Sequence, residues 1–239
     1  MHSLPQIVSG FHPEAVEAAS QLFRKLTKDI VVITPLEAEL TKLFTNSYRY
    51  IQFAIANQFY MIAGDYGVDF HRIYGAMTQK YPRLADFPRP GFASGPCLFK
   101  DTMQLSAFTN NKFFLGHGAM LINEGLPNYL VDQTKQRLPL REKTAGILGM
   151  AFKADSDDKR ESLSYKLRKV LEMEANDVLC SDPYIREAGF LSEEALIEES
   201  DVIFIGAPHA RYKNMDFRGK PVVDVWDFLP FQTLLQGDA

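Results

Sequence analysis

Thr144-Ala-Gly-Ile-Leu-Gly-Met150-Ala-Phe-Lys153-Ala-Asp-Ser-Asp-Asp158-Lys-Arg160-Glu-Ser162 runs from an apolar stretch through a charged turn to a helix cap. Its first residues predict a strand over 144–149, and Ser162 is a natural N-cap for a helix reaching Glu174. Downstream, the same alternation predicts a strand over 177–181, a helix over 192–199, and strands over 201–206 and 221–225. Strands alternating with helices imply a parallel sheet covered on both faces, with ligands beyond the carboxyl ends of its strands. Lys153 and Arg160 fall at that edge, where they could hold phosphate. No G-x-G-x-x-G accompanies them, so a charged loop with internal salt bridges is the alternative reading.

Working upstream, the polar linker "QTKQRLPLREK" separates this region from text of a different kind. From Leu36 a long helix is predicted, with Leu40, Leu43, Phe44, Tyr48, Ile51, Ile55, Phe59 and Ile62 at three- and four-residue steps and an end near Gly64–Gly67. At roughly 30 residues it spans about 45 Å, more than a small domain can cover, which predicts packing against a second domain or a second copy. Asp69 then caps a shorter helix, a loop follows over 81–96, and helical text runs to about Gln133. Before Leu36 come a strand at 6–8, a helix over 14–28 and a strand over 30–34. These are too few to cover each other, and they read as the edge of a larger sheet. The expected fold is α/β: a helical middle domain (36–133) with a long dimerisation helix, then a Rossmann-like parallel-sheet domain (143–239), preceded by the remnant 1–35.

The 239 residues are 46% hydrophobic, with a formal net charge of -4 and two cysteines. That is enough apolar content for a core, and the charge gives no basis for binding nucleic acid or anionic membrane. Two cysteines are not a disulfide framework, and no signal peptide or spanning segment is legible, so a cytoplasmic location is expected.

Three places carry chemistry. Cys97 follows Gly95-Pro96 at the start of a helix, where amide N–H groups and the helix dipole favour thiolate, and Asp101 comes one turn later, where a carboxylate could orient water. A buried, inert cysteine and a solvated acid are the competing readings. Lys42 and Asn46 are four apart on the long helix, a cation and an amide suited to a developing oxyanion unless Lys42 is simply a surface lysine. The third place is the loop bearing Lys153 and Arg160.

The segments "AELTKLFTNSYRY", "PGFASGPCLFKD", "NEGLPNYLV", "ILGMAFKADSDDKRES" and "SDPYI" occur in an order that resembles the nucleotide-sugar 6-dehydrogenases, in particular the UDP-glucose dehydrogenase family. The Cys-x-x-Lys-Asp spacing is closer to the UDP-glucose type than to the UDP-N-acetylmannosamine type. The resemblance implies a parent that oxidises a UDP-hexose to a UDP-hexuronate with two NAD+, a homodimer, and a first domain present only as its tail. It further implies Cys97 as the nucleophile that holds the C6 aldehyde, Lys42 and Asn46 as oxyanion donors, and Asp101 as the group that positions water. Gly91, Phe92 and Gly95 would lie in the loop around the sugar, Lys153 would reach the substrate, and Arg83 would reach a neighbouring subunit's UDP-sugar. Lys100 and Arg160 would contact NAD. Two departures from the pattern stand out: Ser94-Gly-Pro96 where Gly-Gly-Ser is usual, and Trp226 in "VVDVWDF" where an arginine is usual. The competing reading is a non-catalytic dimeric nucleotide-sugar-binding protein.

Overall fold

The computed structural model describes residues 4–236, and the chain divides into two compact units, 1–48 and 49–239. In the first, strand β1 (Gln6–Val8), helix α1 (Pro13–Phe23) and strand β2 (Ile30–Val32) form a parallel crossover, with Gln6 beside Ile30 and Val8 beside Val32. Helix α1 stops short of the expected Lys28. The N–H groups of Arg24 to Thr27 turn back onto residues 20–23, and Thr27 Oγ1 accepts from the Asp29 N–H at 3.2 Å, winding 24–29 into a turn. Val31 and Val32 point to opposite sides of β2 and both are exposed, while Val8 beside Val32 is buried, so β2 is the less covered strand of this small sheet. Helix α2 (Pro35–Asp65) begins here behind a reciprocal cap: the Thr34 N–H donates to Glu37 Oε2 at 2.8 Å, and the Glu37 N–H donates to Thr34 Oγ1 at 3.4 Å.

The second unit contains the rest of α2, then α3 (Phe70–Thr78), α4 (Leu98–Phe108) and α5 (Phe114–Lys135). Beyond the linker come β3 (Thr144–Leu148), α6 (Leu163–Glu174), β4 (Asp177–Ser181), α7 (Glu193–Glu199), β5 (Val202–Ile205) and β6 (Val222–Val223). The expected caps are in place: Asp69 accepts from the His71 N–H at 2.8 Å, Ser162 from Ser164 at 3.2 Å and Ser192 from Ala195 at 3.2 Å. Within the segment read as a loop before Cys97, Pro82–Leu84 forms a short 3-10 turn.

The four strands are all parallel in the order β4-β3-β5-β6. Alternate residues feed two cores, as a pleated strand requires. Ala145, Ile147, Val202 and Phe204 face Leu163, Leu167 and Leu171 of α6 together with Leu126 and Leu130 of α5. Leu148, Ile203 and Ile205 face Leu196 and Ile197 of α7 and the ring of Tyr212. The chain leaves β3 through α6 toward β4 on one side and leaves β5 toward β6 on the other, so the crevice between β3 and β5 opens at their carboxyl ends.

Candidate functional site

The loop from Pro90 to Cys97 is held by hydrogen bonds toward both ends of its length. Asn57 of α2 receives the Gly91 N–H on its Oδ1 at 2.8 Å and donates Nδ2 to the Gly91 carbonyl at 3.0 Å. The same Nδ2 reaches Asn123 Oδ1 of α5 at 2.9 Å, and Asn123 Nδ2 donates to the Tyr50 carbonyl at 3.0 Å. Both amides are fully buried and mutually satisfied, which is what makes such polar groups tolerable in a core. Further along, the Gly95 N–H donates to the Glu161 carbonyl at 3.2 Å, and the Leu163 N–H, opening α6, donates to Ser94 Oγ at 3.0 Å. The loop is thereby fastened to two helices on one side and to the β3–α6 loop on the other.

Two glycines in it are required by close approach. A Cβ on Gly91 would stand 2.2 Å from the Trp226 ring, and one on Gly95 would stand 2.7 Å from the Phe152 ring, at φ values of +151° and +104°. Trp226, in the turn after β6, donates its indole N–H to the Ile205 carbonyl at 3.1 Å and meets Phe92 edge-on with ring centroids 6.0 Å apart. The residue standing where the family pattern expects an arginine is therefore a wedge between the loop and the sheet.

Cys97 follows as the N-cap of α4, exposed, its carbonyl accepting from the Asp101 N–H at 2.9 Å. Asp101 is fully buried in the first turn, with Lys100 Nζ 3.7 Å from its Oδ1 and the rest of Lys100 in solvent. The second cysteine, Cys180, is buried in β4, and burial pushes its thiol up to about 11.

Beside the loop lies a cleft of about 690 Å³ lined by Ser94, Gly95, Arg160, Ser162 and Lys166, among others. Arg160 is clamped by Asp158, Nε at 3.0 Å from Oδ1 and Nη2 at 2.7 Å from Oδ2. The clamp holds the Asp158 carboxyl down to about 2, through the Arg160 side chain first and its backbone N–H second. Arg160 is raised in turn, chiefly by Asp158 and in small part by the neighbouring Cys97. The expected salt bridge within the loop is thus present together with the cleft.

Lys153 is exposed, its ammonium 5.4 Å from the centroid of the Phe152 ring that packs on Gly95. Arg83 is exposed on its 3-10 turn and lines no part of this cleft. Lys42 and Asn46 lie on the part of α2 that belongs to the first unit, exposed and half-buried respectively. Gly91, Phe92, Gly95, Cys97, Lys100, Asp101, Lys153 and Arg160 all belong to the second unit, as does Arg83, whereas Lys42 and Asn46 belong to the first. Sequence reasoning had no role for Asn57, Asn123 or Asp158. The one available signal was an asparagine inside the apolar run "FAIANQF", a buried polar group that needs a partner.

A four-stranded parallel sheet with helices on both faces, and a cysteine-bearing loop bonded to the start of α6, define the class as an α/β protein with its candidate site near the carboxyl ends of the strands. The comparisons agree. Residues 36–124 match the family model described as UDP-glucose/GDP-mannose dehydrogenase family, central domain, and residues 146–230 match the UDP binding domain of the same family. The chain belongs to the UDP-glucose/GDP-mannose dehydrogenase family. Among its relatives is the UDP-N-acetyl-D-mannosamine dehydrogenase of Pyrococcus horikoshii, 29% identical over 221 residues, covering 89% of this chain and 52% of the relative. An NDP-N-acetyl-D-galactosaminuronic acid dehydrogenase of Ralstonia nicotianae is 26% identical, covering 88% of this chain and 52% of the relative. The solved structure of the Pyrococcus horikoshii enzyme superposes with a TM-score of 0.84 at 26% identity, over 96% of this chain and 58% of that one. The chain spans about half the length of the curated relatives it matches.

Proposed function

We propose that this chain is the substrate-side portion of an NAD-dependent nucleotide-sugar 6-dehydrogenase. On this reading 1–35 is the remnant of a dinucleotide-binding domain, 36–133 the helical dimerising and catalytic domain, and 143–239 the UDP-binding domain. The observation that carries it is the exposed Cys97 at the N-cap of α4, on a loop pinned to the carboxyl edge of the sheet. The parent substrate is a UDP-hexose, with UDP-glucose favoured by the Cys97-x-x-Lys100-Asp101 spacing and UDP-N-acetylmannosamine the competitor that the relatives' names supply.

The Cys97 sulfur adds to the C6 aldehyde, forming a C–S bond and a thiohemiacetal, and later carries the same carbon as a thioester. Lys42 and Asn46 stabilise the oxyanion. Asp101 takes a proton from the water that attacks the thioester, breaking the C–S bond and releasing the carboxylate and the thiol. Gly91, Phe92 and Gly95 shape the loop around the sugar, Lys153 pairs with the diphosphate, and Arg83 serves the neighbouring subunit's substrate in a homodimer. NAD, when bound, accepts the hydride in each of the two oxidations. Lys100 and Arg160 fit its phosphates, since the Asp158 clamp engages Nε and Nη2 of Arg160 and leaves Nη1 for an oxygen.

Two measurements test this. Iodoacetamide at neutral pH should modify Cys97 well before Cys180, and equal rates, or Cys180 first, would remove the nucleophile. Calorimetry should show micromolar to millimolar binding of UDP-sugars, weakened in Lys153→Ala by about 1.5–3 kcal/mol for the loss of one charge-assisted hydrogen bond. Unchanged affinity in that variant would rule out Lys153 as a phosphate ligand.

A further inference from the structure

The carboxyl edge of the sheet holds a buried pair that the chemistry above does not use. His209 and Asp182, in the loops after β5 and β4, have fully buried side chains with His209 Nε2 3.1 Å from Asp182 Oδ2. His209 Nδ1 accepts from the Asp155 N–H at 2.8 Å. An acceptor at Nδ1 puts the ring proton on Nε2, which donates to Asp182. Asp182 Oδ2 also receives the N–H groups of Met150 at 2.6 Å and Ala151 at 3.0 Å, and its Oδ1 receives those of Tyr184 at 2.8 Å and Ile185 at 3.0 Å. The loops after β3, β4 and β5 are thus tied to one another through two side chains.

Lys153 lies midway between the anchored amides of Ala151 and Asp155. Asp155 has a φ of +52°, a left-handed conformation that a non-glycine residue keeps only when its surroundings enforce it. Its N–H bond to His209, and the Ala210 N–H donated to Asp155 Oδ1 at 3.0 Å, supply that enforcement.

We infer that His209 is a positioning residue for nucleotide recognition: by holding the Asp155 amide it sets the course of the β3–α6 loop and so the place where the Lys153 ammonium stands. The inference rests on Lys153 as a UDP contact. A pair with a purely structural role would lower stability when altered, regardless of which ring nitrogen is lost. Positioning depends on Nδ1 alone.

Two substitutions separate the nitrogens. Asparagine at 209 can offer its amide oxygen in place of Nδ1, and glutamine its amide nitrogen in place of Nε2. Both His209→Asn and His209→Gln should lower the melting temperature, yet UDP affinity should fall by about fivefold or more only in His209→Gln. In that background Lys153→Ala should add nothing. Equal UDP affinity in the two variants, or an undiminished effect of Lys153→Ala, overturns the inference. A ligand-free measurement on the unmodified chain stands behind these. The Asp155 amide should exchange with solvent more slowly than those of Lys153 and Ala154, and exchange as fast as its neighbours overturns the inference whether or not either variant folds. If the Asp155 amide is protected but the unmodified chain binds no UDP, the Lys153 assignment falls, and with it the recognition role of His209, while the anchor itself stands.

Discussion

Alanine at position 91 should damage the seam between the cysteine loop and the sheet, by an amount the structure allows one to apportion. Its Cβ would lie 2.2 Å from two ring carbons of Trp226 and 2.8 Å from a third. The ring cannot slide away freely, since its N–H is bonded to the Ile205 carbonyl and Phe92 packs against it edge-on. Overpacking of this kind costs about 1–3 kcal/mol. The φ of +151° adds a backbone penalty, also about 1–3 kcal/mol for a side-chain-bearing residue. Gly91→Ala should therefore destabilise the fold by about 2–6 kcal/mol, read from urea unfolding by circular dichroism. The steric share is isolated by repeating the substitution in a Trp226→Ala background, where it should cost about 1–3 kcal/mol less. Trp226 is the single tryptophan of the chain, so its fluorescence in the Gly91→Ala protein reports directly on the seam. An identical cost in both backgrounds, or a cost below about 0.5 kcal/mol, would refute the wedge.

Other outcomes follow from different parts of the molecule. Ile55, Phe59 and Ile62 are exposed at three- and four-residue steps along α2, so the chain should sediment as a dimer and Phe59→Glu should shift it toward monomer; a wild-type monomer at high micromolar concentration contradicts the interface. Burial alone would raise the Asp182 carboxyl, but the His209 bond and the Tyr184 and Met150 amides outweigh it and hold the group below its ordinary value. The unfolded chain thus takes up that proton first. The stability Asp182 contributes is complete above the ordinary carboxylate range and is lost as pH falls through its folded value, so Asp182→Asn should show a shallower loss of stability on acidification. A parallel acid profile in that variant contradicts the assignment.

The C-terminal half was legible because its signals are local. Ser162 and Ser192 cap helices through N–H groups two and three residues on, and the apolar runs of β3 and β5 lie in the interior of a parallel sheet, where continuous apolar text is required. Cys97 was legible for the same reason, since Gly-Pro before an apolar run marks a helix start. The early end of α1 was missed because no glycine or proline marks it, only the turn through Thr27. The supports of the site were missed for a deeper reason. Asn57 with Gly91, Asn123 with Tyr50, His209 with Asp155 and Trp226 with Ile205 join residues 34, 73, 54 and 21 positions apart, and no periodicity announces such partners. Trp226 was noticed as a departure from a pattern, but its work as a wedge depends on where β6 ends.

The loop that presents Cys97 has few contacts near it in sequence. Its ties run to Asn57, 34 residues back from Gly91, and to Leu163, 69 residues on from Ser94. Contacts of that range pay chain-closure entropy before they return anything, so they form late in folding. During refolding Cys97 should therefore behave as an ordinary thiol until α2, α5 and the sheet have docked around its loop, which pulse labelling can follow. Chemical competence would then arrive with the last long-range contacts. A nascent or damaged chain that has only its helices carries the sulfur without the fastened loop that surrounds it in the folded protein.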